Sequence, residues 1–201
     1  MKALIVVDVQ NDFLPGGALA VPDGDAVVPR INQIMPAYEL VVATQDWHPA
    51  EHASFASQHT GHSAGDVIDL QGTPQILWPD HCIQHAPGAS FAAGLDIQHI
   101  DAVVRKGTDR MVDSYSGFYD NDHRQATGLT DILRAHGVTE VVICGLAADY
   151  CVKFTALDAI KEGFTTAVLA TATRAVNLTD GDFEAAMTEV AAAGATIRSE
   201  A

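Results

Sequence analysis

The chain alternates short, continuous apolar runs rich in β-branched residues with stretches of helical spacing, and that alternation restricts its fold more than any other feature. The runs Ala3–Val7, Leu40–Thr44, Ala102–Arg105, Glu140–Cys144, Thr166–Ala170 and Ala195–Arg198 read as strands. They are uniformly apolar, not alternating, which marks strands covered on both faces. Between them Ala26–Met35, Leu129–Ala135, Tyr150–Glu162 and Asp182–Ala193 have the spacing of helices. Strand–helix alternation of this kind builds a mostly parallel sheet with helices on both faces. The length of 201 residues suits one domain over residues 1–201. From His48 to His99 no periodicity is evident, and a loop of that length inside a compact domain is usually functional.

In an open parallel sheet ligands bind beyond the carboxyl ends of the strands, so the residues that follow each run carry the functional reading. Asp8 follows the first run, Asp46 the second, Lys106 the third, and a small-residue turn with Cys151 the fourth. A lone polar residue after a strand is ordinary. A carboxylate, a lysine and a thiol at matching strand ends are the components of nucleophilic catalysis. Asp149 is suited to cap the helix that follows, which places Cys151 in its first turn. There the exposed N–H groups favour thiolate over thiol and offer donors to an oxyanion. Cys144, inside a strand, reads as a buried packing residue. Asp46 and His48 stand two residues apart in an extended segment, with His81 in the long loop, and one carboxylate with two imidazoles suits Zn²⁺, Fe²⁺ or Mn²⁺. The aromatic residues Phe13, Trp78 and Tyr115 are candidates for holding a flat ring.

Charge and cysteine usage exclude other classes. The formal net charge is −15 with no Lys/Arg run, which argues against nucleic acid or an anionic membrane as partner. The three cysteines contain no CxxC pair, so neither a disulfide framework nor a thiolate zinc finger is indicated, and a reducing cytoplasm fits. The apolar start, Met1 to Val7, is too short for a signal-peptide core and reads as the first strand.

Five stretches carry a resemblance: DVQNDFLPGG (Asp8–Gly17), TQDWHPAEHASFA (Thr44–Ala56), WPDHC (Trp78–Cys82), RKG (Arg105–Gly107) and GLAADYCV (Gly145–Val152). In this order and spacing the chain resembles the isochorismatase-like cysteine hydrolases. The Asp-x-His followed by Trp-Pro-x-His-Cys resembles their nicotinamidase branch. The resemblance implies a six-stranded, mostly parallel sheet in a Rossmann-like α/β arrangement, and hydrolysis of nicotinamide to nicotinate and ammonia through a cysteine thioester, with pyrazinamide as a further substrate. The alternative is another small-amide or carbamoyl hydrolase of the same superfamily. It implies Cys151 as nucleophile, Asp8 as base and Lys106 as their partner. It also implies an oxyanion hole from the N–H groups of Ala147 and Cys151, with a cis peptide between Leu146 and Ala147. Asp46, His48 and His81 are the implied ligands of one divalent metal, zinc first, with His52 as the candidate fourth. The sequence is compatible with a monomer or a homo-oligomer.

Overall fold

The computed structural model describes residues 1–200. Its strands are β1 (Lys2–Val7), β2 (Leu40–Asp46), β3 (Val67–Leu70), β4 (Thr73–Ile76), β5 (Ala102–Lys106), β6 (Glu140–Leu146), β7 (Thr165–Arg174) and β8 (Thr196–Arg198). Six of them form one sheet in the order β5-β2-β1-β6-β7-β8, every neighbouring pair parallel. The helices are α1 (Val27–Ile34), α2 (Leu129–Ala135), α3 (Lys153–Lys161) and α4 (Asp182–Ala192). No helix among the described residues is long and apolar enough to cross a membrane.

The continuous apolar runs are explained by two cores, one on each face of the sheet. Along β1, Ala3, Ile5 and Val7 point into the core closed by α2, α3 and α4, while Leu4 and Val6 point into the core closed by α1. Burying an aliphatic side chain of this size contributes about 1.5–3 kcal/mol, so both faces of β1 favour the sheet. On α1, Val27, Val28, Ile31 and Ile34 make the buried stripe.

Three features depart from the sequence reading. β7 extends to Arg174, well beyond the apolar run, because Thr173 is buried and its hydroxyl donates to the Gly145 carbonyl at 2.6 Å. Asp149 does not cap a helix. It lies inside a π-turn (Ala148–Val152) that precedes α3, and its carboxylate accepts the backbone N–H groups of Val176 and Asn177 at 3.0 and 2.9 Å. The long segment after His48 contains the antiparallel hairpin β3–β4. Gln71 and Gly72 turn it with φ of +55° and +89°, the positive pair that a tight two-residue hairpin turn requires.

The order of winding reverses between β1 and β6, and that switch point is where such sheets form a crevice. Gly145 makes the two strands close there. Its φ is +109°, and a Cβ on it would stand 2.1 Å from the Val7 carbonyl oxygen. Asp8 and the turn that carries Cys151 lie just beyond.

Candidate active site

Asp8 leaves β1 in a left-handed conformation, φ +48°, and is fully buried. Thr44 of β2 holds it by accepting its N–H at 3.2 Å and donating a hydroxyl hydrogen to Oδ1 at 2.6 Å. Lys106 ends β5 in register with Asp46 at the end of β2, which sets the ammonium beside that carboxylate. The Lys106 Nζ donates to Asp46 Oδ1, to the Ser114 carbonyl at 2.9 Å and to Cys151 Sγ at 3.4 Å. Asp8 Oδ2 forms an ion pair with the same ammonium at 2.8 Å. Asp8, Asp46 and Cys151 present ligand atoms that all lie within 4.8 Å of one another.

Burial governs the charges. It raises the Asp8 carboxyl above the usual carboxylate range, against the pull of Lys106. Burial also raises the Cys151 thiol well above its ordinary value; Lys106 offsets this only in part, and the two carboxylates add to it. The thiolate-favouring field expected at a helix start is therefore outweighed by removal of water. Asp46 goes the other way. Burial pushes it up, but Lys106 first, and His48 after it, outweigh burial and hold it well below the carboxylate range.

Asp46 also faces two imidazoles. Its Oδ2 lies 3.7 Å from His48 Nε2 and 3.8 Å from His81 Nε2. Each ring is oriented from behind: His48 Nδ1 bonds the Gly107 carbonyl at 2.9 Å and His81 Nδ1 the Pro79 carbonyl at 2.8 Å. Carbonyls accept only, so both rings carry hydrogen on Nδ1 and turn an Nε2 lone pair toward Asp46. One carboxylate oxygen and two oriented lone pairs fit a divalent metal ion. Gly107 shapes this site, since its φ is +63° and a Cβ would stand 2.3 Å from the His48 ring. His52 differs. Its Nδ1 is taken up by Ser54, 2.7 Å from the hydroxyl and 3.2 Å from the N–H. Its Nε2 is buried with no hydrogen-bond partner. Burial first, and His48 second, pull His52 down to about 4, so it is neutral. Its ligand atoms group with those of His48 and Asp113, and not with those of Asp46 and His81.

A cavity opens over both clusters, with Asp46, His81, Ala147 and Cys151 in its lining. Phe13, Trp78 and Tyr115 stand in its wall. Trp78 Nε1 donates to the Tyr115 hydroxyl at 3.2 Å, and Gln75 of β4 reaches the same oxygen at 3.2 Å. The peptide between Leu146 and Ala147 is cis. The Ala147 carbonyl accepts the N–H groups of Tyr150 and Val152 at 3.1 and 3.0 Å, with the Cys151 N–H between them.

The isochorismatase domain family matches residues 2–201. The chain belongs to the isochorismatase family. A nicotinamidase of Escherichia coli is 48% identical over 200 residues, covering 98% of this chain and 93% of that protein. The structure of an Acinetobacter baumanii nicotinamidase and pyrazinamidase superposes with a TM-score of 0.94 at 45% identity, covering 98% of this chain and 94% of that one. The pyrazinamidase of Pyrococcus horikoshii, solved in complex with zinc, superposes with a TM-score of 0.80 at 39% identity, covering 98% of each chain.

Within this isochorismatase-family fold the strand-end residues Asp8, Asp46, Lys106 and Cys151 converge as the sheet topology requires. Tyr150, Leu19, Val176 and Asp113 also line the cavity and were not singled out in the sequence. Tyr150 meets Trp78 edge to face, ring centroids 4.9 Å apart. Its place directly before Cys151 was the available signal. Leu19, Val176 and Asp113 come from irregular segments with no periodicity to mark them.

Proposed function

We propose that this chain hydrolyses nicotinamide to nicotinate and ammonia through a thioester on Cys151, and that it accepts pyrazinamide. One observation carries the reading. The Cys151 thiol, backed by the buried Lys106–Asp8 ion pair, opens into an aromatic-walled cavity whose lining also holds Asp46 and His81 of a carboxylate–imidazole–imidazole set. A carbamoyl hydrolase requires neither the aromatic wall nor the metal donors.

Because burial keeps the thiol protonated, a base has to act first. Asp8 Oδ2 takes the Cys151 proton and Lys106 steadies the thiolate that results. Sulfur then bonds to the amide carbon, and the carbonyl electron pair moves to oxygen, where the N–H groups of Ala147 and Cys151 receive it. As the C–N bond breaks, Asp8 returns the proton to nitrogen and ammonia leaves. Water adds to the thioester and gives a proton to Asp8. The C–S bond breaks, nicotinate forms, and Asp8 reprotonates the thiolate. Phe13, Trp78 and Tyr115 hold the ring. Asp46, His48 and His81 would hold the metal, zinc in this reading, with His52, which groups with His48 and Asp113, outside the ligand set. When bound, the metal supplies an electrophilic position that suits the lone pair of a ring nitrogen.

The deciding measurement is ammonia release from nicotinamide by the purified, metal-loaded protein. Turnover of other small carboxamides with none of nicotinamide would replace this reading. A second measurement addresses the metal set. Gly107→Ala puts a methyl group against the His48 ring and is expected to lower bound metal, read by elemental analysis, while leaving Cys151 open to alkylation. Full metal content in this variant would remove His48 from the set.

A further inference from the structure

We infer that Thr44 is a positioning residue for the reaction, fixing which oxygen of Asp8 faces the thiol; this rests on the reading of Asp8 as proton acceptor. Backbone pairing between β1 and β2 runs to Val6 and Ala43 and then stops. Beyond it, side chains replace the ladder in a reciprocal exchange. From β2, the Thr44 hydroxyl meets the N–H and carboxylate of Asp8 at 3.2 and 2.6 Å. From the other side, the Gln10 amide accepts the Asp46 N–H and donates to the Asp46 carbonyl, both at 2.8 Å. A second Gln10 hydrogen goes to the Ala89 carbonyl at 2.9 Å. Asp8, Gln10 and Thr44 are fully buried, so no water competes for these groups.

The direction of the Thr44 bond is forced. A backbone N–H can only donate, so the Asp8 N–H claims a lone pair on Oγ1. The hydroxyl has one hydrogen, and the carboxylate oxygen Oδ1 receives it. Oδ1 is therefore committed, and the side chain cannot turn about its last bond without breaking a charge-assisted hydrogen bond. Oδ2 is left on the side of Lys106 and Cys151, 2.8 Å from the ammonium. Proton transfer needs that oxygen aimed at sulfur, and small misplacements of reacting groups cost large factors in rate. Thr44 also has a packing role, because its methyl fills the space where a Cβ on Gly117 would stand, 2.9 Å away. Hydroxyl and volume can thus be separated by substitution.

The test compares Thr44→Ser, which keeps the hydroxyl, with Thr44→Val and Thr44→Ala, which lack it at two sizes. Three quantities are read: kcat and KM for nicotinamide, bound metal, and the rate of Cys151 alkylation by iodoacetamide at fixed pH. The expected result is kcat near that of the parent for Thr44→Ser and lower by roughly 10- to 100-fold for both Thr44→Val and Thr44→Ala. KM and metal content should be unchanged, and alkylation should slow in the same two variants. Activity that follows volume, with Thr44→Val active and Thr44→Ser impaired, overturns the inference, as does loss of metal in step with kcat. Should Thr44→Val not fold, Thr44→Ala against Thr44→Ser decides. A parent protein that releases no ammonia from nicotinamide overturns the substrate reading alone, and the alkylation series still decides on Thr44.

Discussion

Cys151→Ala is expected to lower kcat/KM for nicotinamide by at least about 10⁴-fold, with metal content and thermal midpoint close to those of the parent. The methyl that remains has no electron pair for the amide carbon, and water at the same spot is far less nucleophilic. Lys106 keeps its bonds to Asp46 and the Ser114 carbonyl, so the cluster has little reason to rearrange. Cys144→Ala is the matched control. Cys144 is also a buried thiol, but it sits inside β6 in the α1-side core, with its sulfur 3.7 Å from the Ile5 carbonyl and away from the cavity. Burial raises its thiol too, with no lysine to offset it. That variant should retain most activity, and iodoacetamide followed by peptide mass analysis should mark Cys151 first. Equal loss of activity in the two variants would sink the assignment of the nucleophile.

Benzamide is expected to be a poorer substrate than nicotinamide by at least about 10²-fold in kcat/KM, while pyrazinamide is turned over. The three rings have nearly the same outline, so Phe13, Trp78 and Tyr115 give each of them similar apolar contact. They differ in the ring atom meta to the carboxamide, which is nitrogen in nicotinamide and pyrazinamide and C–H in benzamide. The cavity has the Asp46 and His81 donors and the Cys151 thiol together in its lining. A ring held by its nitrogen at the first group presents its carbonyl carbon to the second at a fixed distance, and such pre-alignment can supply several powers of ten in rate. A C–H at that position cannot take up the electrophilic site. The measurement is kcat/KM for the three amides on metal-loaded protein. Benzamide processed as fast as nicotinamide would count against ring anchoring and in favour of a general small-amide hydrolase.

The sheet was legible because strands buried on both faces carry continuous apolar runs, as β1, β2 and β6 do over Ala3–Val7, Leu40–Ala43 and Val141–Cys144. Asp8, Asp46, Lys106 and Cys151 were legible because parallel topology brings strand ends to one edge, a consequence independent of side-chain detail. What failed to show depends on tertiary contact. The β3–β4 hairpin is short and largely exposed, with Gln-Gly at a turn whose usual signal is Asn-Gly or Asp-Gly. Asp149 has the residue type of an N-cap, but two backbone N–H groups nearly thirty positions away claim its carboxylate. The direction of the Cys151 shift turns on how much water the cavity excludes, which no local sequence window contains. His52 is similar in kind: its sequence context allows a ligand, and only the folded arrangement groups its ring with His48 and Asp113 and not with Asp46 and His81.

The origin of the cavity's parts has a consequence for how such a protein changes over generations. The reacting groups stand at or just past the ends of β1, β2, β5 and β6, whose positions are set by the double core. The ring wall instead comes from Phe13 in a short turn, and from Trp78 and Tyr115 in irregular segments held by Gln75 of the hairpin. Chemistry and selectivity are thus inherited through different pieces of chain. Insertions or exchanges in the irregular segments re-shape the choice of ring without moving the thiol from its base, whereas a change at a strand end alters the reaction itself. One frame can in this way give rise to hydrolases of many small amides, each new preference written in the segments that the sheet does not constrain.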